Sequence, residues 1–157
     1  MEQKCLIIVY SYHHKNTEKI ANAFAEVLNA DVTTPANVKL ESLNQYALIG
    51  FGAGIDSGRH YKELLDVVDT LPQVNEKNSF IFSTSAVQGD KKVEKDHLLL
   101  RDKLISKGYV VVGEFSSKGY NTNSFLKYIG GMNRGRPNSE DLEYAREFAK
   151  SLIIYNK

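Results

Sequence analysis

At 157 residues, with a formal net charge of +1 and 42% hydrophobic residues, the chain has the size and composition of a single globular domain with its own core. That balance excludes wholesale disorder and leaves no basic field for nucleic acid. Its single cysteine, Cys5, excludes an intrachain disulfide framework and a multi-cysteine metal centre. Cys5 heads an apolar run, so it reads as a small buried hydrophobe and fits a reducing compartment.

The apolar run Leu6–Val9 is shorter than a secretory core of roughly 7–15 residues, and no stretch approaches the roughly 18 apolar residues of a membrane span. The expectation is a cytoplasmic protein with no membrane and no nucleic-acid partner.

The apolar period switches repeatedly between buried-strand runs and helical stripes, as in a parallel sheet covered on both faces. Lys4–Tyr10 reads as the first strand and Asn16–Asn29 as the first helix, with Ile20, Phe24, Val27 and Leu28 on one side. Asn16 or Thr17 is a candidate cap. Asp31–Thr33 reads as a short edge strand closed by Pro35. Tyr46–Phe51 is the next buried strand, followed by Gly52 and Gly54, and the second helix is expected over Arg59–Thr70 before Pro72.

Ser79–Ser83 reads as the fourth strand, Thr84–Lys92 as a polar loop and Val93–Lys107 as a helix stopped by Gly108. Tyr109–Phe115 is the fifth strand. A long irregular segment, Ser116–Asn138, precedes a last helix from Ser139 with the stripe Leu142, Ala145, Ala149 and Leu152. The pattern predicts one domain over residues 1–157, with five strands and a doubly wound sheet. Ligands then sit outside the carboxyl ends of the strands.

Three loops fall at those ends: Ser11–Thr17, Gly50–Tyr61 and Ser83–Asp90. The first runs from a strand into a helix, where free N–H groups and the helix dipole favour an anion. Its hydroxyl-rich run ending Asn16-Thr17 resembles the phosphate loop of flavodoxins. Gly-Phe-Gly-Ala-Gly-Ile-Asp-Ser-Gly-Arg (residues 50–59) and Ser-Thr-Ser-Ala-Val-Gln-Gly (residues 83–89) resemble the two ring-side loops of the same family, and residues 130–149 its C-terminal segment.

The resemblance implies a three-layer α/β sandwich around a five-stranded parallel sheet of order 2-1-3-4-5, with non-covalent FMN. It assigns Ser11, Asn16 and Thr17 to the phosphate, with His13, His14 and Lys15 supplying further N–H groups in that loop. It places Gly54, Ile55, Asp56, Ser57 and Gly58 on one side of the flavin ring and Thr84, Ser85, Ala86 and Val87 on the other. The implied function is an electron-transfer protein between redox partner proteins, as a monomer or weak dimer. An FMN-dependent quinone or NAD(P)H reductase is the alternative, and a flavin-free binding module a further one.

Departures from the family pattern are informative. Lys15 stands where flavodoxins usually carry Gly, and a positive φ there would cost about 1 kcal/mol. The second loop lacks a stacking aromatic, leaving Ile55, His60, Tyr61 or Tyr120 to cover the ring. The near-neutral charge contrasts with the acidic surface typical of the family.

Other residues carry bland readings beside the functional one. Asp56 is either a carboxylate lowering a flavin's potential or a turn former. Gly50, Gly52 and Gly54 either mark a bent strand end or let the backbone approach a flat ring. Arg134 and Arg136 read as a solvated turn, with docking of an acidic partner as the minority reading. A Walker loop, a hydrolase Gly-x-Ser-x-Gly elbow and the acidic cluster of a receiver domain are all missing from the sequence.

Overall fold

In the computed structural model, residues 4–12, 15–86, 89–118 and 136–156 are described. Strand β1 (Lys4–Tyr10) leads to helix α1 (Asn16–Leu28), then edge strand β2 (Asp31–Thr33), a 3-10 turn (Leu40–Gln45) and β3 (Tyr46–Asp56). A two-residue strand β4 (Arg59–His60), helix α2 (Lys62–Asp69), β5 (Lys77–Ser85), α3 (Asp90–Ser106), β6 (Tyr109–Lys118) and α4 (Ser139–Leu152) follow.

The main sheet runs β2-β1-β3-β5-β6 with every pair parallel. This is the expected 2-1-3-4-5 order. The sequence reading missed β4, which pairs antiparallel with the end of β3.

Alternation along β1 explains the two cores. Leu6 and Ile8 pack toward α2 and α3, while Cys5, Ile7 and Val9 pack toward α1 and α4. On the second side Phe24 of α1 lies against Phe82, Phe115, Phe148 and Phe80 at ring separations of 5.0, 5.5, 5.6 and 5.7 Å. Burial raises the Cys5 thiol to about 12, with the Asp31 charge adding to it, so Cys5 stays protonated as core.

Gly50 and Gly52 have a different purpose from the expected approach to a flat ring. A Cβ on either would lie 2.2 Å from the ring of Phe80 or Phe82 respectively, so both glycines make room for the aromatic layer of β5.

Several boundaries moved for physical reasons. The second helix starts at Lys62 because Arg59 and His60 are already engaged across from Asp56 and Ile55. Thr84 and Ser85 belong to β5, paired with Ser117 and Lys118. The first helix has no side-chain cap from Asn16 or Thr17, since Lys15 occupies the cap position. The last helix starts at Ser139 as expected, and its cap is Asn138. Asn138 and Asp141 form a reciprocal capping box, and Arg136 is held by Asp141 rather than solvated as a free turn.

Candidate functional site

The first loop is shaped by the residue that departs from the family pattern. Lys15 is left-handed, at φ 53 and ψ 33, as a glycine there would be. Its side chain does not cap α1, and Ser11 Oγ accepts from Glu18 N at 3.4 Å. Asn16 and Thr17 are only 7% and 2% exposed, unusual for polar residues opening a helix. Thr17 Oγ1 bonds Thr84 Oγ1 at 2.8 Å, tying the first loop to the third.

The second loop is a tight hairpin. Ile55 pairs with His60 and Asp56 with Arg59, leaving Ser57 (φ 54) and Gly58 (φ 80) as a two-residue turn with both residues left-handed. That is the primed turn whose twist matches antiparallel strands. Asp56, Ser57 and Gly58 are exposed at its tip.

Tyr61 closes the hairpin, donating its N–H to Gly54 O at 3.2 Å. Its ring meets Tyr10 and Tyr12 at 5.7 and 5.8 Å, and a Cβ on Gly54 would come within 2.9 Å of that ring. His60 faces the opposite way. It is buried, with Nε2 3.0 Å from Phe82 O, so it does not cover a ring at the loop tips. Tyr61 and Ile55 remain as the described candidates for that role.

Behind the second and third loops lies a polar array that sequence reading missed. Ser83 Oγ is 2.7 Å from His97 Nε2, His97 Nδ1 is 2.8 Å from Glu114 Oε1, and Arg101 grips the same carboxylate at 2.7 and 2.8 Å. Burial pushes the Glu114 carboxyl up. Hydrogen bonds from His97 and Arg101, together with the Arg101 charge, outweigh that and hold it at about 2. His60, its ring 5.0 Å from that of His97, is pressed down to about 3 by burial first and by His97 second. The partners lie on α3, β4, β5 and β6, so no local motif announces them. The sole signal in the sequence is His97 on the stripe that also carries Leu100 and Leu104.

The structure thus brings Ser11, Lys15, Asn16 and Thr17 to one end of the sheet together with Thr84, Ser85 and the Gly54–Gly58 hairpin. Ala86 follows β5 and is part-buried. His13, His14, Val87, Tyr120, Arg134 and most of the 116–138 segment lie outside the described residues.

A parallel 2-1-3-5-6 sheet with its loops gathered where the order reverses defines an α/β domain with its ligand crevice at the strands' carboxyl ends. The family model for the flavodoxin domain matches residues 7–140, and the chain belongs to that family. An uncharacterised protein of Methanocaldococcus jannaschii is 45% identical over 150 residues, covering 96% of this chain and 98% of its own. Among solved structures, the chain is similar to the oxidised Flavodoxin 2 of Bacillus cereus (18% identity, 94% and 96% of the two chains, TM-score 0.70). It is also similar to a flavodoxin from the domain Archaea (18% identity, 96% of each chain, TM-score 0.66). Among the described residues, no helix is long and apolar enough to cross a membrane.

Proposed function

We propose that this protein binds FMN non-covalently and carries electrons between redox partner proteins. The observation that carries the reading is the Thr17–Thr84 hydrogen bond, which joins a helix-opening, hydroxyl-rich loop to the end of β5. The donor set fits a phosphate monoester. It combines the Ser11 and Thr17 hydroxyls, the first N–H groups of α1, of which that of Glu18 already meets Ser11 Oγ, the Lys15 cation and the helix dipole.

In this reading Ser11, Lys15, Asn16 and Thr17, with His13 and His14 of the same loop, hold the phosphate. Gly54–Gly58 and Thr84–Val87 flank the ring. Bound FMN supplies one- and two-electron chemistry; the chain supplies placement and electrostatics. The Ser57-Gly58 turn fixes where the Asp56 carboxylate stands, and negative charge there disfavours added negative charge nearby. The Tyr10, Tyr12 and Tyr61 rings give an apolar flank to the same region.

With a formal net charge of +1, association with partners should depend weakly on salt. Mixing the FMN-loaded protein with NADH or NADPH tests the carrier role. A carrier is reduced only after a partner reductase or oxidoreductase is added. Rapid reduction by the nicotinamide alone would assign it to the reductases instead.

A further inference from the structure

A cavity of about 380 Å³ lies on the α3 side of the second loop, between the Asp56–Arg59 hairpin and helices α2 and α3. Tyr61, Leu65 and Leu99 give it apolar walls, and neither the first loop nor Thr84–Ala86 borders it. Its volume falls in the range of small-molecule sites and far exceeds the ~30 Å³ share of a single water.

His60 also lines this cavity and is only 1% exposed. Its Nε2 lies 3.0 Å from Phe82 O, and a carbonyl can only accept, so the ring proton sits on Nε2. Burial keeps the ring neutral near pH 7, which leaves Nδ1 with a bare lone pair. That acceptor has no hydrogen-bond partner among the described residues. With Nε2 committed to β5 and the ring packed beside that of His97, Nδ1 is the side-chain polar atom that His60 has left for the cavity. A buried acceptor left unpaired costs free energy, and a ligand donor that reaches it removes the cost.

The charges at the rim select against ions. Lys62 pairs with Asp66 and Lys103 with Asp69, at 2.5 and 2.6 Å, and Asp56 stands across the hairpin from Arg59. Three carboxylates therefore meet three cations, and the lining carries no net charge. A charged ligand would leave water with no opposite charge waiting for it. A neutral ligand with a flat apolar body loses far less, because its ring is buried against Tyr61, Leu65 and Leu99. A phenol is the simplest neutral compound that joins such a body to a strong donor.

We propose that this cavity binds a small neutral phenol, whose hydroxyl donates to His60 Nδ1 and whose ring lies against Tyr61, Leu65 and Leu99. Neither the flavin nor an electron enters this binding, so it stands independently of the function proposed above.

Nitrogen NMR of the imidazoles in FMN-loaded protein tests it, with phenol as one titrant and fluorobenzene, of nearly the same shape but with no donor, as the other. Phenol should shift the His60 Nδ1 resonance in a saturable way. Fluorobenzene should bind about tenfold more weakly, the worth of one net hydrogen bond. Equal affinity for the two compounds overturns the inference. So does phenol that fails to bind, that displaces the flavin, or that binds without moving the His60 signal. If the protein takes up no FMN, the functional reading fails, and the same titration of the protein as isolated still decides this one.

Discussion

Thr17 Oγ1 and Thr84 Oγ1 lie 2.8 Å apart although 67 positions separate them in the chain. Thr17 stands at the start of α1 and Thr84 near the end of β5, and both are buried. The bond therefore fixes the spacing of two loops that fold from distant parts of the sequence.

Thr84→Val keeps the shape and removes the hydroxyl, leaving Thr17 buried without that partner. We expect a loss of about 1–3 kcal/mol in the stability of the apoprotein, measured by urea unfolding. Adding Thr17→Val should cost less than the sum of the two single changes, because the second substitution removes the stranded group. Both variants should also bind FMN more weakly.

Lys15 pays for its left-handed backbone, so stability and ligand affinity should move in opposite directions at this position. Lys15→Gly should stabilise the apoprotein by about 1 kcal/mol. It should weaken FMN binding, since the proposed phosphate site loses a cation. Calorimetric titration and urea unfolding of the same variant check the two signs.

Gly50→Ala places a methyl group 2.2 Å from the tip of the Phe80 ring. Overpacking of about 1–3 kcal/mol is expected, read as a lower urea midpoint at unchanged slope. The loss should appear equally with and without FMN, because this glycine serves the core.

Acid should unfold the protein in two stages. His60 has its folded value lowered from 6.5 to about 3, so below pH 6.5 the unfolded chain binds a proton that the fold refuses. Its contribution is complete above 6.5 and is lost as pH falls toward 3, at up to about 1.4 kcal/mol per pH unit. Glu114, lowered from 4.5 to about 2, adds its loss only between those values. The urea midpoint should therefore already fall between pH 7 and pH 5. The fall should be much shallower in His60→Gln, whose side-chain amide keeps a donor for Phe82 O.

The strand order and both cores were legible because they rest on periodicity. Cys5, Ile7 and Val9 alternate with Leu6 and Ile8, and helical stripes separate the strands. The hairpin was not. Asp56-Ser57-Gly58-Arg59 reads locally as a loop feeding a helix, and only pairing across the turn makes Arg59 and His60 a strand. Gly50 and Gly52 read locally as a bent strand end or as room for a flat ring, whereas Phe80 and Phe82 on the neighbouring strand are what require them.

The shape of the first loop was visible, even to the positive φ at Lys15, because strand, polar loop and helix are contiguous in sequence. The His97 array joins residues 13–17 positions apart on three elements, and its pairing emerges only when β5 and β6 bring Ser83 and Glu114 to the same face of α3.

The visible absorption spectrum of the purified protein during titration with FMN, and separately with riboflavin, tests the central claim most directly. The account predicts flavin bands that saturate with FMN, are released on denaturation and do not develop with riboflavin, which lacks the phosphate. Equal uptake of riboflavin would contradict the role given to Ser11, Lys15, Asn16 and Thr17. No uptake of either would contradict flavin binding altogether.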